Sequence, residues 1–480
     1  MLQSVLTRYL HRLPAPRWLM TGAAALVLFW QLMLPPVPGV ADNGDFGKLL
    51  GRYGLGSGKT FVYADTKFFF GDENRYRSGF SSSELLSIVP ALAINKVLSR
   101  DGFFDLRIMG AVHASLFLLA VFLFAPLLDS AAAGLLVILL FCDFMYAGFF
   151  NSFYMDASSY LFTLLSAVFY LRAMRWRRTA DALALWIGMI LTIVSKSQYA
   201  MVGPWFAVLF WTGREFLAGG RKAIAATASL TLVVATCVSY RYLTPEGYSD
   251  NAAFTVIFSQ ILPASEDSDR ALAELGLDGA YRQWIGLQAY SPGVPLDNPA
   301  FHQDFRRRTS FLKIAQFYLR HPADAWRALR TSLDEAGSFQ SPLGNFDSRS
   351  GKPPAAKYES FQLVSGWKRR IFYHHGARLL AFFFGLALLV PALLFWHRRA
   401  VWGGAVLSAM ALSTLIVSAL ADVYDQFRHQ LVAFALFDML LLTLVWLVPQ
   451  ARSPCLPTSS ARPRFPTRWH GPDRARRDSD

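Results

Sequence analysis

Residues 18–36, WLMTGAAALVLFWQLMLPP, followed shortly by Asp42-Asn43-Gly44-Asp45, decide how this chain is read. An apolar run of that length can cross a hydrocarbon core of about 30 Å as a helix. The two carboxylates then fall where the chain leaves the membrane. One of them can act as a base while the other orients a substrate or a metal. Polar residues that merely end a helix would look the same locally, so the rest of the chain has to decide.

Of the 480 residues, 54% are hydrophobic, and they come in blocks near membrane-spanning length. The pattern predicts an all-α fold: a polytopic membrane helix bundle of about ten spans with a partly helical extracytoplasmic loop domain. The spans lie near Trp18–Pro36, Leu106–Leu127, Ala131–Phe150, Ala157–Ala173, Ala182–Ser195, Tyr199–Trp211, Ala223–Leu243, Ala377–Trp396, Val401–Leu420 and Gln430–Val448. Four units follow: an N-terminal transmembrane module over 1–243, a loop domain over 244–376, C-terminal helices over 377–448 and a disordered basic tail over 449–480. Arginines set the orientation. Arg8, Arg12 and Arg17, then Arg172, Arg175, Arg177 and Arg178, then Arg214 and Arg221, then Arg398 and Arg399, and finally the tail fall on one side under a ten-span count. Both termini are then cytoplasmic, in what the pattern reads as a bacterial inner membrane.

A net charge of +14 needs no nucleic acid to explain it, because the cytoplasmic loops and tail carry much of it against anionic lipid. The three cysteines, Cys142, Cys237 and Cys455, do not meet in one outer compartment, so no structural disulfide is expected. Gly54, Gly56, Gly58 and Lys59-Thr60 imitate a phosphate-binding loop, but the first glycine would fall at Tyr53 and the spacing fails. Within the large loop, Phe311–Ala336 has helical periodicity broken at His321-Pro322.

Candidate chemistry gathers at the outward turns. Asp42, Asp45, Asp65, Glu84 and the pair Asp72-Glu73 lie in the first outer loop, and the last pair reads as a solvated cluster beside Arg75 and Arg77. Asp156 follows span three, where it can cap a helix or work at a site. Lys196 and Gln198 sit between spans five and six. Lys196 can snorkel to the head groups or hold a phosphate as a point charge. Asp422, Asp425, Arg428 and His429 precede the last span. Arg428 can grip a phosphate or simply pair with Asp425, and His429 can carry a proton. Asp143 lies deeper in span three, where it needs only a polar neighbour.

Asp42-Asn43-Gly44-Asp45, Asp156, the turn Ile193-Val194-Ser195-Lys196-Ser197-Gln198-Tyr199, the stretch Phe317-Tyr318-Leu319-Arg320-His321-Pro322 and Arg428-His429 together resemble the GT-C superfamily of integral-membrane glycosyltransferases. Protein mannosyltransferases and aminoarabinose transferases belong to it. The resemblance implies transfer of a sugar from a polyprenyl-phosphate donor to a glycan, lipid or protein acceptor, with inversion. Asp42 or Asp45 would be the catalytic base, Asp42 favoured by its nearness to span one. Asp156, Lys196, Gln198, Arg428 and His429 would bind substrate. Metal use varies across the superfamily, so a divalent metal stays open. Here Asn43-Gly44 separates two acids that the family often keeps adjacent. Two other classes compete: a transporter or flippase of lipid-linked sugars, and a non-catalytic scaffold in envelope polysaccharide assembly.

Overall fold

A computed structural model describes residues 17–56, 60–71, 80–128, 130–245, 247–395 and 398–447. Arg8, Arg12, Gly58, Lys59, the Asp72-Glu73 cluster, Cys455 and the basic tail lie outside the described residues. The chain is a helical membrane protein. Five helices are long and apolar enough to cross a bilayer: Leu106–Leu127, Asp156–Trp176, Lys222–Tyr242, Gly376–Leu393 and Ala400–Ala421. A sixth crossing forms if Ala131–Phe141 and Phe144–Phe150 count as one span bent by 46°.

In chain order, α1 is Arg17–Met33 and α2 the short Gly47–Leu50. Then follow α3 (Leu85–Leu98), α4 (Leu106–Phe124), α5 (Ala131–Phe141), α6 (Phe144–Ala147), α7 (Asp156–Trp176), α8 (Thr179–Ile193), α9 (Gly203–Thr212) and α10 (Lys222–Tyr242). The outer part contributes α11 (Tyr248–Val256), α12 (Pro299–Arg308), α13 (Phe311–Arg320), α14 (Pro322–Ala336) and α15 (Leu363–Phe372). Last come α16 (Gly376–Leu393), α17 (Arg398–Ala421), α18 (Gln426–His429) and α19 (Leu431–Leu442). The expected break at His321-Pro322 separates α13 from α14, as a ring without an N–H requires.

The ten-span expectation meets shorter elements than it assumed. Of the apolar segments it counted, α1, α8 and Leu431–Val445 are short helices. Tyr199–Trp211 divides into a 3-10 turn, Ser197–Val202, and the ten-residue α9. The shortening has a local cause. Helices break where polar side chains take over backbone groups, as at Asp143, whose carboxylate accepts the Met145 amide and starts α6. The first outer loop holds two elements for which no expectation was drawn from the sequence. It holds a small antiparallel sheet in the order β1 (Leu55–Gly56), β2 (Lys67–Phe70), β3 (Phe103–Asp105). It also holds the apolar helix α3.

Helix α7 runs through the middle of the bundle, and Asp156 to Ser166 are all buried along it. Gly110 lets α4 close on the loop before α7: a Cβ there would lie 1.9 Å from Asn151 Oδ1. The Asn151 amide in turn donates to Leu32 O (2.9 Å) and Pro38 O (2.8 Å), tying the end of α1 to the same point. A separate apolar core, including Phe254, Phe258, Leu272, Phe305 and Phe317, holds the outer helices together. Cys142 is buried and Cys237 exposed, both as free thiols.

Candidate functional site

Four distant segments bring charged side chains to one place at the helix ends. The first is the Asp42–Asp45 loop. Asp42 Oδ1 accepts the Gly44 amide (2.7 Å) and the Phe46 amide (3.1 Å). Gly44 adopts φ 101°, which a side chain would strain. Asn43 Oδ1 accepts the Asp45 amide (3.2 Å), and the Tyr154 hydroxyl donates to Ala41 O (2.7 Å). One Asp42 oxygen therefore shapes the turn, and the turn swings Asp45 outward.

Asp45 meets two cations. Lys48, one helical turn on in α2, lies 2.5 Å away, and Arg428 NH1 lies 2.7 Å away. Burial pushes the Asp45 carboxyl up, but Lys48 and Arg428 outweigh it and hold it well below the usual carboxylate range. Lys48 also donates to the Tyr248 hydroxyl (3.0 Å). Burial opposes its charge, yet Asp45 raises it above the ordinary lysine range.

Arg428 is the hub. Its Nε pairs with Asp425 Oδ2 (2.9 Å), its NH1 reaches Asp156 Oδ2 (3.6 Å), and its guanidinium lies 4.5 Å from the centre of the Tyr154 ring. The Arg428–Asp425 pair weighed from the sequence exists, and the same guanidinium also bridges Asp45. Asp156 opens α7, with its carboxylate where the exposed amides of a helix start favour negative charge. Lys196 Nζ donates to both Asp156 oxygens, at 3.0 and 3.3 Å. It is buried, at 8% exposure, so it does not snorkel. Burial lowers its affinity for a proton, and Asp156 works against that.

His429 closes the ring. Its Nδ1 donates to Asp422 Oδ2 (3.0 Å) and Gln198 Oε1 (3.1 Å), and its Nε2 accepts from Arg428 NH2 (3.4 Å). Gln198 Nε2 donates to His429 O (2.6 Å) and Ser418 Oγ (2.6 Å). Every predicted site residue thus sits in or beside one network. Its most accessible charged members are Asp422, Asp45 and Lys48, with side chains 33%, 20% and 16% exposed. They form its accessible edge. Among the described residues, no three His, Cys, Asp or Glu side chains are grouped to hold a metal ion.

The sequence reading missed Lys48, Tyr154 and Tyr248. The i, i+3 spacing of Asp45 and Lys48 was a usable signal. Nothing in the sequence marks the other two. It also missed Lys368 in a second buried cluster, where Asp143 does find the polar neighbour expected of it. There Lys368 pairs with Asp438, the Tyr146 hydroxyl donates to Asp438 Oδ2 (2.8 Å), and Asp143 accepts Ser365 Oγ (2.6 Å) and Ser365 N (2.9 Å).

A cavity of about 770 Å³ begins some 10 Å along α7 from Asp156, at Thr163, taking 1.5 Å per residue. Phe117, Phe141, Leu164, Phe206, Met410 and Leu436 are among the apolar side chains that line it.

Residues 7–457 match the family model described as the YfdI N-terminal transmembrane domain. No curated protein and no solved structure matches the chain.

Proposed function

The chain belongs to the YfdI N-terminal transmembrane family, and from that premise we propose that it is a membrane glycosyltransferase. It moves a sugar from a polyprenyl-phosphate donor to an extracytoplasmic glycan, lipid or protein acceptor. The observation that carries the proposal is the convergence of Asp45, Asp156, Lys196 and Arg428-His429, from four separate turns, with Asp45 at the accessible edge. In this reading the chain crosses the membrane ten times, the shorter apolar helices included, with both termini cytoplasmic and the network at the outer face; the arginine distribution supports it.

Asp45 is the base in this mechanism. Its carboxylate is reachable, and its affinity for a proton, held low by Lys48 and Arg428, rises as the phosphate draws Arg428 away, whereas one oxygen of Asp42 is committed to two backbone amides. As the acceptor oxygen bonds to the anomeric carbon, its proton passes to Asp45. The bond from that carbon to the phosphate oxygen breaks on the opposite side, and its electron pair stays with the lipid phosphate. Lys196 and Arg428 offset the charge gathering there, each worth a few kcal/mol in a dry site. To reach them the phosphate exchanges places with Asp156, which pairs with both cations. The apolar cavity along α7 offers room for isoprenoid chain beneath the phosphate.

Purified protein in lipid nanodiscs, given a radiolabelled polyprenyl-phosphate sugar and a membrane extract as acceptor source, should transfer label. Donor that stays intact with wild-type protein and all acceptor fractions would sink the proposal and move the flippase or scaffold alternative ahead.

A further inference from the structure

Helix α3 has no part in the charge network, and its outward face is apolar. Leu86, Val89, Ile94, Val97 and Leu98 are all exposed. Hydrogen bonds at both ends fix where this helix lies. At its start, Glu84 is fully buried: Oε1 pairs with His113 Nε2 (2.8 Å) in α4, and Oε2 accepts the Ser158 amide (3.0 Å) in the first turn of α7. Ser83 N donates to Val194 O (3.1 Å), beside the Lys196 turn. At its far end, the Asn95 amide donates to Phe103 O (2.9 Å), and Asn95 Oδ1 accepts the Asp105 amide (3.0 Å), just before α4 begins. α3 therefore runs antiparallel to the first third of α4.

That third lies within the membrane. The apolar segment Leu106–Leu127 has 22 residues, or about 33 Å of helix, against a core of about 30 Å. Only about 3 Å, two residues, is left over to stand clear of the hydrocarbon. His113 lies seven residues into it, about 10 Å deep. A helix bonded to His113 at one end and to the start of α4 at the other shares that depth. α4 presents Arg107, Ala111, Ser115 and Leu119 outward at helical spacing: Arg107, in the first turn and paired with Asp105, marks the head-group level, and the row below it faces lipid. Lys96, exposed in the last turn, can reach the head groups from there.

We infer that α3 is a re-entrant half-span, immersed in the leaflet on the charge-cluster side, with its apolar face covered by lipid hydrocarbon. The chain enters that leaflet before Glu84, turns against the Lys196 loop and returns along α4. The Glu84–His113 pair is its anchor, and the charge network lies at leaflet depth rather than above the head groups.

The test needs no activity and no donor, so it fails or succeeds apart from the transferase proposal. Cys237 and Cys455 are replaced by serine, and buried Cys142 is kept. Single cysteines at Val89, Ile94, Leu119 and Gln283 carry an environment-sensitive fluorophore in nanodiscs. Lipids with a nitroxide on the acyl chain should quench Val89→Cys and Ile94→Cys as strongly as Leu119→Cys, and several-fold more than Gln283→Cys. Iodide should show the reverse order. Quenching of both α3 sites by iodide as at Gln283 would place the helix in water and overturn the inference. Quenching by neither would mean that protein covers the face, and would overturn it as well. Using two α3 positions guards against one label disturbing the fold.

Discussion

Two groups of buried charge lie in this molecule, and they are built on different plans. In the inner one, Lys368 faces Asp438, Tyr146 caps the other oxygen of Asp438, and Asp143 is held by Ser365 and the Met145 amide. Charges are matched locally and the members are closed off. In the outer one, Arg428 serves Asp45, Asp425 and Asp156 at once, Asp156 is shared by Lys196 and Arg428, and Asp45 and Asp422 keep an open side. The contrast separates a closed brace from an open, shared network. In the brace each carboxylate keeps its own fixed partners. In the outer network partners are shared, and under the proposed function an incoming phosphate or hydroxyl would displace them.

Five substitutions, one of them made only in a double variant, would break or sharpen that distinction. Asp45→Asn keeps the shape but cannot take the acceptor proton at neutral pH. Sugar transfer should fall by about two to four decades, with the thermal midpoint close to wild type; an unchanged rate would remove Asp45 from the chemistry. Lys368→Met should leave Asp438 buried without its cation and cost about 3–5 kcal/mol of stability. Pairing it with Asp438→Leu should restore most of that loss in a thermal unfolding series. If the double variant is no more stable than the single one, the inner cluster is not a simple brace.

Lys196→Met should lower transfer by about two to three decades while the protein stays folded and monodisperse. Full activity would return Lys196 to a purely structural pairing with Asp156. The smallest effect concerns Lys357, which donates to Ser341 O (2.9 Å) and Leu343 O (2.6 Å), while the Ser341 hydroxyl donates to Asp425. Burial brings the Lys357 ammonium down to about 8 from an ordinary 10.5. The unfolded chain then binds more protons between those values, so stability rises with pH across that window. Unfolding curves of Lys357→Met should lack the rise. A rise equal to wild type would mean that another group titrates.

Much of the outer site was legible in the sequence because it sits at turns. Asp42, Asp45, Asp156, Lys196, Gln198, Arg428 and His429 interrupt long apolar runs, and a polar side chain there stands out. What could not be read was how they combine. Nothing local tells that Asp42 turns inward to its own backbone while Asp45 turns to Arg428, because Gly44 sets that geometry. Lys368 escaped notice for the opposite reason. Its neighbours Trp367, Arg369 and Arg370 make it look like one more surface cation, and only the fold brings it to Asp438 in α19 and to the Phe339 ring. α3 was missed because a 14-residue apolar stretch is too short to count as a span and too apolar for an outer loop.

The bond between Arg428 and Asp45 joins positions 383 residues apart. A ribosome adding about 5–20 residues per second needs roughly 20–75 s between the two. For that interval the growing protein carries Asp45, Asp156 and Lys196 in the membrane without the guanidinium that gathers them. The order of synthesis thus sets a clock on competence: no nascent chain can acquire the complete site before its last turn has emerged. A truncation just before Arg428 leaves most of the protein's mass and an unfinished network.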